Sequence, residues 1–345
     1  MEKQRLLKLD LQHFAGNLNL NTTAVSTAPN TKPQAYYDKV LLQILRQTEF
    51  GFDRFAQQKE IPKGGGRTVN FRKLGKLAPA LVPLTEGVTP DGAVATKSNI
   101  TGTVEQYGDY MAFSDRVDFE EIDPIIEGYA VEQGYQAKET LDLIIREILS
   151  AGTNVIWPNN KTSRASLVAA TYDPATGKRS GDYFSIRDAR KVVRKFKKNF
   201  IQPVTPNGDY ICYISPDTAF DIMDDPDFQK AMDYGGNIKP MMDNEIGRLH
   251  RVRYIEVVNA KVFPGATGAT PTPDVHASIF IGRNAFGVTK INGQGNVKTI
   301  VKSLGSAGTA DPLDQRQTQG WKVNAFGAVR LEEYAICRYE HTVTV

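Results

Sequence analysis

Apolar positions along the chain change period several times, and each change predicts an element. Behind Pro33, which suits a first helical turn, Tyr37, Val40, Leu41, Ile44 and Leu45 recur at helical spacing, and Phe50, Phe52 and Phe55 close the segment. The preceding residues 1 to 30, including "GNLNLNTTAVSTAPN", are polar and read as an arm without a core of its own. "IPKGGGRTVNF" at 61–71 opens a strand after three glycines, and "NITGTVEQYGDYMAF" at 99–113 reads as a second strand. The stretch between them carries Pro79, Pro83, Pro90 and interspersed glycines. The pair predicts a long hairpin, residues 68 to 110, whose tip lacks a coherent apolar face. Loops of that length are uncommon in compact domains unless functional or disordered. A lone hairpin is barely stable in water, so this one is expected to rest on a neighbouring subunit.

Asp123 and Pro124 supply a cap and a first turn for a long helix ending near Ala151, with Ala137, Leu141, Ile144, Ile145 and Ile148 as its apolar stripe. "SIRDARKVVRKFKKNF" at 185–200 predicts a second helix: Ile186, Ala189, Val193 and Phe196 share one face and seven Arg or Lys crowd the rest. "GDYICYISPDTAF" gives a strand, a Ser215 cap and a helix start. "GRLHRVRYIEVV" and "HASIFIGRNAFGV" read as further strands. Near the C-terminus, "TADPLDQRQTQGWKVNAFGAVRL" runs from an acidic turn into a strand with Trp321, Val323, Ala325, Gly327, Val329 and Leu331 on one parity. Helices and strands do not alternate regularly, which favours an α+β fold over a doubly wound sheet. No internal repeat is present.

Composition changes this picture little. The chain has 345 residues, 41% hydrophobic and 23% charged, enough for one large or two ordinary domains. A net charge of +3 is weaker than that of a dedicated nucleic-acid binder. Cys212 and Cys337 form no spaced motif and are expected to be small core hydrophobes in a reducing compartment. Lys8, Asp10 and His13 interrupt the N-terminal apolar run, which is no convincing signal peptide, and no membrane-length apolar segment occurs. The expectation is a soluble intracellular protein.

Candidate chemistry is sparse. "ATGKRS" at 175–180 lacks the upstream glycine of a phosphate loop, and "NGQGNVKT" lacks a third glycine. His13, His250, His276 and His341 are dispersed. Asp221, Asp224, Asp225 and Asp227 lack the spacing of a calcium loop and read as a capped helix-turn. The residues therefore assign no catalytic, cofactor-binding or metal position. The basic helix admits two readings, a patch facing nucleic acid through phosphates or a solvated amphipathic face. An uncored arm, an extended hairpin and a long helix are surfaces awaiting partners, which points to self-assembly. A cytosolic α+β enzyme with a spatially assembled site, or a weak nucleic-acid-binding protein, are the alternatives.

The order of these parts resembles the major capsid proteins of tailed bacteriophages, the Hong Kong-type capsid fold. "LKLDLQHFAG" is similar to the start of many capsid proteins from phages of Gram-positive bacteria, and "YICYISPDTAFDIMDDPDF" to the family's strand, Pro turn and helix. "GTADPLDQRQTQGWKVNAFGAV" resembles the C-terminal signature of the subgroup typified by the coat protein of the large-polymerase coliphages. The resemblance implies an N-terminal arm and first helix over 1–55, an extended E-loop hairpin over 56–115, a P-domain with spine helix over 116–184, an A-domain over 185–303 and a return to the P-domain over 304–345. Asp311, Asp314 and Arg316 would stabilise that return or a subunit contact. It implies a non-enzymatic coat subunit in the virion, assembled in host cytoplasm as hexamers and pentamers around non-specifically held double-stranded DNA. Its partners would be further copies, a separate scaffolding protein, a portal and decoration proteins, with no membrane and no cofactor. Lys73, Lys76 and Lys97 lie in the hairpin, but no local motif assigns them to a covalent cross-link.

Overall fold

A computed structural model describes residues 20–21, 51–62, 64–84, 86–89, 92–120, 125–173, 175, 178–234, 244–266, 272–291 and 297–344. The helix expected behind Pro33, the Asp123–Pro124 helix start and the arm apart from Leu20–Asn21 lie outside the described residues. The fold is α+β. It divides into two compact units, one of Met1–Arg46, Gln106–Lys138 and Asn296–Asn324, the other of Gln47–Glu105, Glu139–Gly295 and Ala325–Val345. The helix Ile125–Ser150 gives its first half to one unit and its second half to the other, as does the strand Arg316–Arg330.

In the larger unit a mixed sheet runs in the order Glu245–Leu249, Val252–Glu256, Tyr210–Ile214, Val275–Ile281, Ile336–His341 and Val155–Ile156, with Lys261–Phe263 paired to Val275–Ile281. Tyr210–Ile214 and Val275–Ile281 are buried at every residue, so both faces of the sheet are covered. Over one face lies the helix Ile186–Lys198. Ser185 caps it by accepting from the Arg187 N–H at 3.2 Å, and Ile186, Ala189, Val192, Val193 and Phe196 turn inward. They pack with Tyr210, Cys212, Ile214, Phe280, Cys337 and Tyr339. Cys212 and Cys337 are free, buried thiols raised by burial, Cys337 to about 12, and behave as the expected apolar fillers. On the opposite side of Tyr210–Ile214, Phe52 meets the Tyr213 ring edge-on at 4.9 Å.

Two buried carboxylates of this unit are paired with arginines. Asp209 accepts from Arg248 at 2.8 Å and Arg253 at 3.1 Å, while Glu340 takes Trp157 Nε1 at 2.9 Å and the forked guanidinium of Arg164 at 2.6 and 3.0 Å. Burial is the largest single influence on the Glu340 carboxyl and pushes it up, but those donors, with the charges of Arg338 and Arg164, together hold it below its usual range.

The hairpin sits in the same unit. Thr68–Leu74 pairs antiparallel with Lys97–Thr103, from Thr68 opposite Thr103 to Leu74 opposite Lys97. Val69 and Phe71 bury at its base with Ile61, Val104 and Ala325. A Cβ on Gly287 would lie 2.7 Å from the Phe71 ring, so the glycine makes room for that aromatic anchor. The single strand expected over 99–113 is two: Lys97–Thr103 belongs to the hairpin and Glu105–Ser114 to another sheet, with buried Val104 as the corner. "GRLHRVRYIEVV" and "HASIFIGRNAFGV" likewise each break into two strands, at His250–Arg251 and at 282–285.

In the smaller unit, Glu105–Ser114 pairs with the long strand, whose other side takes Lys298–Lys302 from Lys298 opposite Lys322 to Lys302 opposite Thr318. The long strand keeps its expected parity from Trp321 through Val323 to Ala325; beyond it Phe326 is buried beside Gly327 on the opposite parity, and Val329 and Leu331 are only half-buried. Glutamines replace apolar packing where the long helix meets it. Gln133 Nε2 donates to the Gln319 carbonyl at 3.0 Å, and Trp321 Nε1 donates to Gln136 Oε1 at 2.8 Å.

The helix stripe is rotated slightly from expectation. Ile145 and Leu149 are the fully buried apolar residues of its second half, and Leu141, Ile144 and Ile148 are half-buried. Ile145→Ala is expected to cost about 2–5 kcal/mol, read from the denaturant midpoint; a midpoint within error of the parent would place the side chain in solvent.

Acid should destabilise the sheet through two of its histidines. His276 and His341 face each other across paired strands, rings 6.4 Å apart, and His341 receives the Ser278 hydroxyl at Nε2 while Nδ1–H donates to the Thr342 carbonyl. Burial lowers His276 and holds His341 near 3, well under the ordinary 6.5. The unfolded chain therefore binds these protons first. Stability present above about pH 6.5 drains as pH falls, for His341 down toward 3, by up to about 1.4 kcal/mol per pH unit. His341→Gln should lower the melting temperature at neutral pH yet flatten its decline between pH 6.5 and 4; equal slopes in parent and variant would refute the assignment.

Candidate functional site

No described group of three or more His, Cys, Asp or Glu is arranged to hold a metal ion. Nor is any described helix long and apolar enough to cross a membrane. The nearest approach to a catalytic constellation is unexpected. Ser215 Oγ lies 2.9 Å from His276 Nδ1, and His276 Nε2 lies 3.9 Å from Asp217. The serine is buried, and its oxygen already accepts from the Thr218 N–H at 3.2 Å as a helix cap. A nucleophile must reach a substrate, and this hydroxyl is spent on backbone. The acidic cluster is also structural. Asp221 is buried and bonded to Thr344 N at 3.1 Å, Asp224 pairs with Arg179 at 2.7 Å, and Asp225 accepts from Asp227 N at 2.8 Å to cap a helix turn.

Three surfaces remain, and the first is the hairpin. Its base packs on its own chain through Val69 and Phe71, which corrects the expectation that residues 68 to 110 as a whole lie on a neighbour. Residues two apart on a strand share a face, so Val69 and Phe71 could bury together once Gly102 and Gly287 cleared the space. The strand ends at Leu74. The described residues from 75 to 96 form no strand or helix, and Leu81, Val82, Leu84 and Val94 are each about four-fifths exposed. Lys76 stands 3.7 Å over the Phe200 ring and Lys73 pairs with Glu332, so cations anchor the outer strand where apolar contacts stop. Clustered exposed aliphatics of this size mark an interaction surface.

The second surface is the basic face of helix Ile186–Lys198. Arg190, Arg194, Lys197 and Lys198 project to solvent and line a shallow depression of about 610 Å³ with His250 and Arg251. Those last two form the two-residue turn between Glu245–Leu249 and Val252–Glu256, both in the left-handed region, φ 50° and 65°. Such turns favour Asn-Gly, and a long side chain there costs of order 1 kcal/mol or more. The sequence reading treated "GRLHRVRYIEVV" without a turn; the missing signal was that no Gly, Asn or Pro marks it. His250 is lowered by burial and then by the charge of Arg190, which outweighs the opposite pull of Asp227.

The third is the polar turn before the long strand. Asp311 Oδ2 accepts from the Arg316 N–H at 2.8 Å and faces Arg316 Nε at 3.6 Å, and Arg316 donates to the Ala310 carbonyl at 2.6 Å. The structure thus joins the three residues singled out there, since the Asp314 N–H donates to the Asp311 carbonyl at 3.1 Å while Asp314 itself occupies the left-handed apex, φ 53°. Alongside, Gln106–Tyr110, Ile300, Lys302, Thr318 and Trp321 line a groove of about 480 Å³.

A family model described as phage capsid protein matches residues 98–339. No curated protein sequence matches the chain. Among solved structures, the capsid of Ralstonia phage GP4 is similar at 14% identity and a TM-score of 0.63, over 91% of this chain and 96% of that one. The acid-stable capsid of Helicobacter pylori bacteriophage KHP30 aligns at 12% identity and 0.63, over 91% and 97%. The capsid of cyanophage P-SCSP1u does so at 12% and 0.61, over 90% and 92%. At these identities the likeness is one of fold.

The Asp311 staple can be tested against its neighbour. Asp311→Ala is expected to lower stability by about 1–2 kcal/mol, since a charge-assisted backbone bond is lost from a partly buried turn. Asp314→Gly should leave the unfolding midpoint unchanged or slightly raised, because relieved strain offsets the added freedom of the unfolded chain. Equal losses in both variants would show that the turn is not held by Asp311.

Proposed function

The chain belongs to the phage capsid protein family, and from that premise we propose that it assembles as hexamers and pentamers into an icosahedral shell around double-stranded DNA. It is a major capsid protein that forms the phage shell; the arrangement of that shell and its partners are the proposal. Further copies are the principal partners, joined by a scaffolding protein, a portal and decoration proteins, and DNA is held without sequence preference. Assembly takes place in host cytoplasm, and the role is mechanical rather than enzymatic. The C-terminal stretch 308–329 supports a position near the large-polymerase coliphage coat proteins. In this reading the E-loop spans 56–115, the P-domain 116–184 and 304–345, the A-domain 185–303, and the arm with its first helix 1–55.

One observation carries the assembly reading: the aliphatic tip of the hairpin. Four large side chains from 81 to 94 stay in water although the hairpin base is anchored in a core. Burying such a side chain is worth roughly 1.5–3 kcal/mol, so a contact with another copy is strongly favoured once concentration permits. Because every copy carries both a tip and the surface it meets, the contact repeats, and repeated contacts of one kind close into rings and shells.

Replacing Leu81, Val82 and Leu84 by Ser tests this. The variant is expected to keep the circular dichroism and melting temperature of the parent subunit, since none of the three contributes to its core. Electron microscopy should show the parent as shells, capsomers or tubes and the variant as dispersed subunits. Normal shells from the triple variant would remove the tip from the assembly contact.

A further inference from the structure

The basic depression gathers like charges at a cost that the nearby carboxylate of Asp227 offsets only in part. Arg190, Arg194 and Lys198 recur every fourth residue on one helical face, where like charges repel, and Lys197 adds a fourth cation. The last turn of a helix welcomes Lys197 and Lys198 through its dipole, but Arg190 and Arg194 stand further back. Facing them, His250 and Arg251 hold left-handed backbone that Gly or Asn would adopt more easily. The Tyr210 N–H donates to the Arg251 carbonyl at 2.8 Å and the Tyr210 hydroxyl to the Ile201 carbonyl at 2.9 Å, so a buried strand fixes the turn in place. Val193 floors the depression, which spreads the cations around an apolar base instead of letting them fold over one another.

We propose that this depression, formed by Arg190, Arg194, Lys197, Lys198, His250 and Arg251, is a phosphate-binding site that takes the phosphodiester backbone of nucleic acid without reading its bases. Three guanidinium groups converge from two elements, and the planar fork of arginine matches a phosphate's oxygens in pairs. The helix row advances about 6 Å per four residues, a regular step suited to a repeating anion more than to one isolated carboxylate. The depression is open, so a continuous strand can enter and leave it. Such contacts position a backbone and carry no sequence information. The neighbouring hollow over Asn159, Asn160, Ser185 and Arg187 shares Arg190 and Arg194 and extends the basic track along the helix, its carboxylate Asp188 being paired with Lys191. The identity of the ligand rests on the reading that the shell encloses DNA.

Binding is measured on unassembled subunits by fluorescence anisotropy of a short labelled duplex of arbitrary sequence, across a salt series. Failure of the protein to build shells would then count against the capsid reading and leave this result standing. Arg190→Ala/Arg194→Ala should weaken binding by roughly tenfold or more near 0.1 M salt and flatten the log–log salt slope by about 1.8, two contacts at about 0.9 each. Arg251→Gly should weaken binding while keeping or raising the melting temperature, a combination that a purely structural arginine would not produce. Competition separates the sources of phosphate: a second unlabelled duplex should displace the probe at far lower charge concentration than inorganic phosphate or polyglutamate. The proposal fails if both variants keep the parent's affinity and slope. It fails equally if polyglutamate competes as well as DNA, which would make the site a carboxylate or protein contact, or if inorganic phosphate alone does so.

Discussion

A strand buried on both faces imposes demands on everything around it. Each residue of Tyr210–Ile214 is shut away from water, so each of its backbone groups needs a partner in the sheet and each face needs a cover. Parallel pairing to Val252–Glu256 and antiparallel pairing to Val275–Ile281 meet the first demand. The inward face of helix Ile186–Lys198 and the ring of Phe52 meet the second from opposite sides. The polar residues flanking the strand follow from the same burial. Asp209, just before it, is held by two arginines, and Ser215, just after it, turns the chain into a helix by capping it.

Burial of this strand also explains why the functional surfaces lie where they do. A helix that spends one face on Tyr210, Cys212 and Ile214 presents its charged side outward, and the same fold turns Glu245–Leu249 back on itself beside that charge. The hairpin shows the converse. Its base finds a core through Val69 and Phe71, and its outer half, interrupted by Pro79 and Pro83, finds none. In the assembly proposed above, it is this unfilled surface that a second copy would cover.

Much of this was legible in the residues themselves. The two-residue period holds from Trp321 to Ala325, and the helical stripe of Ile186, Ala189, Val193 and Phe196 and the Ser215 cap stand as read, because each depends on neighbours within a few positions. What escaped depends on distance or on unmarked corners. Val104 ends one strand and begins the approach to another without a turn residue, since tertiary pairing alone decides the break. The His276–His341 pair arises only when Val275–Ile281 meets Ile336–His341, and no spacing along the chain announces it. The basic surface was half visible: the helix declared four of its cations, and the strained turn that adds Arg251 did not declare itself.

The exposed hairpin tip has a bearing on the life of the newly made subunit. A chain that displays Leu81, Val82, Leu84 and Val94 before any neighbour arrives is sticky toward every other nascent chain in a crowded cell, correctly positioned or not. With the tip as the proposed assembly contact, productive growth and precipitation draw on the same surface and differ only in timing. The yield of particles becomes a kinetic contest, governed by how many subunits are released at once and how soon each tip is covered.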